Sequence, residues 1–237
     1  MNGQVLTLTA KINLGKLKLR AFSALVMAPC FIYIMYTGGM VFQAFLLAAF
    51  ALSVYEWYGL SKKTDSFLFY YSIGLAYMVT SYGSFYFLRE FYNLNVLLIF
   101  IGMIWFSDIG AYFTGKTLGG PKLIQKISPN KTWSGFGGAL FFPAVFAVIW
   151  ISLFGFHEHF AKLGLLLLLP AGFMIGLAIG CVGQVGDLLI SYVKRQAKVK
   201  DTGSIIPGHG GLLDRIDSMM LGAPVFLILI SVLYYVF

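Results

Sequence analysis

Three features of the sequence predict an all-α, polytopic helical membrane protein with about seven transmembrane helices and a cytoplasmic N-terminus. The 237 residues are 59% hydrophobic and only 11% charged, with mean hydropathy +0.84; soluble domains are about half apolar and about a quarter charged. The apolar residues gather in runs of roughly 20, the length at which a helix crosses the hydrocarbon core. Fifteen of the seventeen basic residues lie in alternate connections between those runs.

The spans read as Ala21–Tyr36, Val41–Leu60, Phe67–Leu88, Leu94–Thr114, Gly135–Phe156, Leu163–Gln184 and Ser218–Phe237. After the sixth, "GQVGDLLISYVKR" is helical in pattern but amphipathic, so that helix either extends or is followed by a tilted one. Lys11, Lys16, Lys18 and Arg20 precede the first span, and Lys62 and Lys63 follow the second. Lys116, Lys122, Lys126 and Lys131 follow the fourth; Lys194, Arg195, Lys198, Lys200 and Arg215 follow the sixth. The other side holds only Arg89 and Lys162. The rich side is cytoplasmic by the positive-inside rule, which puts Phe237 outside. The first span lacks a cleavage site and reads as a retained anchor. With no internal repeat and no linker, residues 1–237 read as a single membrane-embedded domain.

A net charge of +8 on one membrane face suits anionic headgroups and soluble phosphates. Nucleic acid is excluded as a partner, because no reader module is visible. Cys30 and Cys181 sit in apolar runs without a motif spacing, so a disulfide or zinc site has no support and both read as buried free thiols.

The nine acids can be weighed singly. Asp65 and Glu90 sit in short loops beside basic residues. Glu158 lies between His157 and His159 on the outer side; an i,i+2 pair does not share a helix face, which argues against a metal site there. Glu56, next to Trp57 near the inner end of the second span, reads as reaching the headgroups, with a structural pairing as the second reading. Asp108, Asp187, Asp201, Asp214 and Asp217 fall in or beside spans. A carboxylate in hydrocarbon costs about 2.5–3.5 kcal/mol on insertion scales and is usually partnered or functional. An ion pair with a lysine explains any one of them. It does not explain five on one side beside Gly-rich loops.

"DRID" opens the last helix, so Asp214 and Asp217 stand three apart and project from one face. "GDLLISYVKR" aligns Asp187, Ser191, Lys194 and Lys198 in a polar stripe. Adjacent carboxylates suit a hard cation such as Mg²⁺, held by one or two carboxylates plus substrate phosphates. Lysines with Arg195 and Arg215 suit phosphate oxygens. Together they suggest a metal–phosphate site. "PGHGG", Pro207–Gly211, leads into a helix N-terminus, where backbone N–H groups favour anions. A second stretch, "GKTLGGPKLIQKISPNKTWSG", is too basic and too rich in turn residues for a plain connector.

These residues carry a resemblance. "SYVKRQAKVKDTGSIIPGHGGLLDRID", Ser191–Asp217, is similar to the signature of phosphatidate cytidylyltransferases, also called CDP-diacylglycerol synthases. The match falls on Ser191, Lys194, Arg195, Lys200, Asp201, His209, Gly210, Gly211, Asp214, Arg215 and Asp217. "DIGAYFTGKTLGGPKL…SPNKTWSG" resembles the family's second conserved stretch, so the likeness covers Asp108 to Asp217. Ser134 stands where the family usually has an acid, and that carboxylate's role is not carried over.

The resemblance implies CTP + phosphatidate → CDP-diacylglycerol + pyrophosphate, with Mg²⁺ and room for a second, monovalent ion such as K⁺. It implies a metal centre at Asp187, Asp214 and Asp217. Lys200, Asp201 and His209 join these three as catalytic candidates. Substrate contacts are expected from Asp108, Lys122, Ser128, Asn130, Lys131, Ser191, Lys194, Arg195, Gly210, Gly211 and Arg215. Asp108, Asp187 and Asp214 are expected to converge on one polar cavity at the inner leaflet, with Lys200 and His209 at its mouth. The partners are CTP, phosphatidate and membrane lipids, in a bacterial inner membrane; a homodimer is left open. Related CTP-dependent enzymes, a CDP-archaeol synthase or a polyprenol kinase, are the alternatives. A transporter fits less well, because it expects repeats and midplane sites.

Overall fold

The computed structural model describes residues 25, 29–156, 160, 164–206 and 210–236. His209, His157, Glu158, His159, Lys162 and the basic residues before the first span lie outside the described residues.

Residues 29–37 are helical (α1). Then follow α2 (Gly39–Ser61), α3 (Phe67–Phe87), a π-helical turn (Leu88–Tyr92), α4 (Leu94–Leu118), β1 (Lys122–Ile124), β2 (Ser128–Thr132), α5 (Trp133–Phe154), α6 (Gly164–Gln196) and α7 (Leu213–Val236). Among the described residues α2, α4, α5, α6 and α7 are long and apolar enough to cross a membrane. The chain is therefore a helical membrane protein. Helix α3 falls short of those five in apolar character because tyrosines and hydroxyl residues interrupt it. Several of these turn inward: Ser81 Oγ donates to the Met220 carbonyl at 2.5 Å, and the Tyr82 and Ser53 hydroxyls meet at 2.7 Å. Such bonds satisfy polar groups between helices where no water can.

Most expected spans have a helix within a few residues of their bounds. The sixth settles as one continuous helix of 33 residues that carries its amphipathic end. The basic stretch after α4, too rich in turn residues for a plain connector, folds into an antiparallel hairpin pairing Lys122 with Thr132 and Ile124 with Ser128. Thr132 ends it and caps α5, its hydroxyl accepting from Gly135 N at 3.1 Å; Asn93 caps α4 in the same way through Val96 N at 2.9 Å. Both cysteines are free, but neither is fully buried: Cys30 is exposed and Cys181 half-buried.

Helix α4 is the axis of the core. Ile99, Phe100, Ile101, Met103 and Ile104 are essentially inaccessible, and Phe100 stacks on Phe226 of α7 at 5.2 Å between ring centres. Its other side packs on α5 through small residues. A Cβ on Gly138 would stand 2.5 Å from the Gly110 carbonyl. A Cβ on Gly186 of α6 would stand 2.8 Å from the Asp217 carbonyl of α7. Where lipid gives no hydrophobic drive for helices to associate, small residues let backbones approach and gain dispersion contacts. These two seams set the spacing of the helices that carry the acids.

Candidate active site

A cavity of about 510 Å³ opens between α4, α6, the hairpin and the first turns of α5, lined among others by Asp108, Lys116, Asn130, Lys131, Gln184 and Asp187. Lys131, at the end of the hairpin, reaches α6: its Nζ lies 2.6 Å from Asp187 Oδ2 and 2.8 Å from Gln184 Oε1. Ser191, one turn on from Asp187, donates to its other oxygen at 3.2 Å. The stripe read from "GDLLISYVKR" therefore forms as far as Lys194. Lys198 lies beyond the helix, at φ 54°.

Asp187 is within electrostatic reach of Asp108 and of Asp217. Asp217 Oδ1 accepts from Ser218 N at 2.8 Å, and among the described residues no lysine or arginine forms an ion pair with it. The Tyr77 hydroxyl is buried without a hydrogen-bond partner, also within the electrostatic reach of Asp217.

Asp214 does not line the cavity. Lys194 Nζ lies 2.7 Å from its Oδ1, and both side chains are at most 10% exposed. Its Oδ2 accepts from Thr202 N at 2.8 Å, Thr202 Oγ1 at 3.0 Å and Gly211 N at 3.1 Å. The convergence expected of Asp108, Asp187 and Asp214 on one cavity is thus met by Asp108 and Asp187 only; Asp217 lies within their electrostatic reach but, like Asp214, does not line the cavity. The cause is local: Asp214 sits in the first turn of α7, where unpaired N–H donors and the preceding loop draw its carboxylate backwards.

The remaining candidates divide. Asn130 and Lys131 line the cavity, while Lys122 is exposed on β1 and Ser128 is half-buried at the start of β2. Arg195 donates to the Ile127 carbonyl and the Val199 carbonyl, tying the end of α6 to the hairpin turn. Lys200, Asp201 and Arg215 are exposed. Gly210 has φ 87°, which glycine adopts without strain; Ile206 and Gly210 pair as an isolated bridge that closes the loop. Ser134, in place of the family acid, donates to the Gly119 carbonyl and so closes the base of the hairpin.

Sequence reasoning missed three participants. Gln184, a polar residue inside an apolar run, was a visible signal. Thr202 carried none. Glu56 is not at the headgroups: it is 3% exposed and accepts from Thr202 Oγ1 at 3.0 Å, Leu212 N at 2.8 Å and Leu213 N at 3.0 Å. The second reading, a structural pairing, describes it better.

Among the described residues no three His, Cys, Asp or Glu side chains close on one point as a metal-ligand group. The donor set fits a cation of the Mg²⁺ type nonetheless, since that ion needs only one or two carboxylates when substrate phosphates complete its shell. Asp187 and Asp217 are within electrostatic reach of each other, beside Asp108 and the Tyr77 hydroxyl. Asp187 and Asp214 each already have a partner at both oxygens.

The sequence model of the cytidylyltransferase family matches residues 62–233. A phosphatidate cytidylyltransferase of Rickettsia bellii (strain RML369-C) is 36% identical over 215 residues, 89% of this chain and 89% of that protein. One of Rickettsia felis (strain ATCC VR-1525 / URRWXCal2) is 35% identical over 235 residues, 97% of this chain and 100% of that protein. One of Brucella suis biovar 1 (strain 1330) is 39% identical over 138 residues, 56% of this chain and 46% of that protein.

Proposed function

Because the chain belongs to the cytidylyltransferase family, we propose that it transfers CMP from CTP to phosphatidate, giving CDP-diacylglycerol and pyrophosphate in phospholipid synthesis. The observation that carries the reading is the polar cavity at the hairpin end of an otherwise apolar bundle, where Lys131, Lys116 and Asn130 face Asp108 and Asp187. CTP cannot enter hydrocarbon without losing its hydration. Phosphatidate cannot leave it, since each buried CH₂ is worth about 0.8 kcal/mol. The substrates meet at headgroup depth, which is where such a cavity is useful.

In the reaction a phosphatidate oxygen forms a bond to the α-phosphorus of CTP, and the bond to the β-phosphate oxygen breaks, its electrons leaving with pyrophosphate. Both reactants are anions, so catalysis is mainly positioning and charge stabilisation. The lipid phosphate is already ionised at neutral pH, and no dedicated base is needed. Lys131, oriented by Asp187 and Gln184, presents one positive charge to the cavity; Lys116 presents another. Asn130 and Ser128 offer neutral donors. Lys200 and Asp201, with Gly210 and Gly211, belong to the loop before α7. Lys122, Arg195 and Arg215 would act from the rim. Mg²⁺, held by Asp187 and Asp217 with Asp214 supporting from the start of α7, would supply charge neutralisation at the transferring phosphate. A second, monovalent ion such as K⁺ would add to that neutralisation.

The membrane arrangement we infer has seven spans, the N-terminus and cavity on the cytoplasmic side, in a bacterial inner membrane. Its support is the basic bias of the connections and the bacterial origin of the relatives. The test is conversion by the purified protein of labelled CTP with phosphatidate and Mg²⁺ to CDP-diacylglycerol and pyrophosphate. Turnover only with an archaeal ether lipid acceptor or a polyprenol would reassign the acceptor. No nucleotide turnover with any lipid would sink the reading.

A further inference from the structure

Glu56 lies outside every motif used so far and its carboxylate is almost inaccessible. It stands toward the C-terminal end of α2, the negative pole of that helix. Its neighbour Trp57 fixes it there, the indole N–H donating to the Tyr70 carbonyl of α3 at 2.9 Å. The carboxylate is compensated by the opposite pole of another helix. Leu212 N and Leu213 N, at the start of α7, both donate to it. Its third donor, the Thr202 hydroxyl, belongs to the loop that runs into α7.

That hydroxyl is 3.0 Å from Glu56 Oε2 and 3.0 Å from Asp214 Oδ2. One proton serves one carboxylate at a time, while Thr202 N donates to Asp214 Oδ2 at 2.8 Å. Two carboxylates from different helices thus hold one residue of the loop between them. The packing leaves no slack: a Cβ on Gly211 would stand 2.6 Å from Glu56 Oε2, and one on Gly203 would stand 2.8 Å from Oε1. Segment 201–213 therefore touches Glu56 at Thr202, Gly203, Gly211, Leu212 and Leu213.

We propose that Glu56 is a positioning residue for the reaction: it clamps the loop carrying Lys200, Asp201 and Gly210 and sets the start of α7, from which Asp217 approaches Asp187. This rests on the cytidylyltransferase reading. The clamp couples helix α2 to the C-terminal motif.

Glu56→Gln tests it. A glutamine keeps one acceptor oxygen and turns the other into a donor facing donors, so at least one of the three bonds is lost. Loss of a hydrogen bond to a charged group predicts a fall in kcat per folded enzyme of about tenfold or more. Backbone hydrogen exchange at residues 210–213 should quicken while α4 stays protected. A merely structural role would lower the melting temperature and leave kcat of the folded fraction unchanged, which would overturn the proposal; so would unchanged exchange at 210–213. Thr202→Val and Thr202→Ser form a second pair. Loss of rate in the valine variant and its rescue in the serine variant support the clamp. Wild-type rates in Thr202→Val overturn it, and this pair decides if Glu56→Gln fails to fold. If the unaltered protein makes no CDP-diacylglycerol, the functional reading fails, while the exchange arm still decides the clamp.

Discussion

Lys131 and Asp187 meet at 2.6 Å across the gap between the hairpin and α6. This ion pair joins the two basic stretches of the chain, and only the folded protein reveals it. It also separates Lys131 from the other lysines of its segment, because Lys122 and Lys126 are exposed and do not line the cavity.

Lys131→Gln should therefore lower kcat/KM for CTP by about tenfold or more, since it removes a charge aimed into the cavity and leaves Asp187 unpaired. Lys122→Gln and Lys126→Gln should have smaller effects. Steady-state kinetics on the three purified variants checks this. Equal losses in all three would make the hairpin a diffuse basic surface with no privileged residue.

Asp217→Asn and Asp214→Asn should separate. Among the described residues Asp217 makes no ion pair, and Asp187, Asp108 and Lys194 are in its electrostatic reach, so its neutral isostere should fold normally and lose activity, on the order of a hundredfold if it holds a cation. Asp214→Asn breaks a buried pair with Lys194, at a cost of about 3–5 kcal/mol, and should lower thermal stability as well as rate. Thermal unfolding beside a Mg²⁺ titration of turnover distinguishes the two. A stable, active Asp217→Asn would remove it from the proposed metal site.

Neighbouring glycines of α5 should respond oppositely. A side chain on Gly138 collides with the Gly110 carbonyl and Thr114, so Gly138→Val should force α4 and α5 apart and reduce the yield of folded protein. Gly137 has nothing within 4 Å of its would-be Cβ. Gly137→Ala should be neutral or stabilise by about 0.5–1 kcal/mol, the helix cost of glycine. Folded yield in detergent reads both. Tolerance of Gly138→Val would show that the α4–α5 seam does not set the cavity.

The sequence by itself determined what depends on local composition. Runs of apolar residues give membrane helices because lipid demands a helix's internal hydrogen bonds, and five such helices stand where the runs are. The motif-bearing stretch from Asp108 to Asp217 could be recognised because its charged and glycine residues stand out in an apolar chain and match the family's motifs. The tertiary structure alone decided which acid meets which base. Asp214 and Asp217 are three residues apart and look equivalent in "DRID". Yet one turns back to Lys194, Thr202 and Gly211 while the other stands near Asp187, because loop and helix-start donors lie on one side only. Glu56 shows the same limit over a longer range. Its three donors are 146 to 157 residues away, and no local pattern in "YEWYGL" signals that α2 will end where α7 begins.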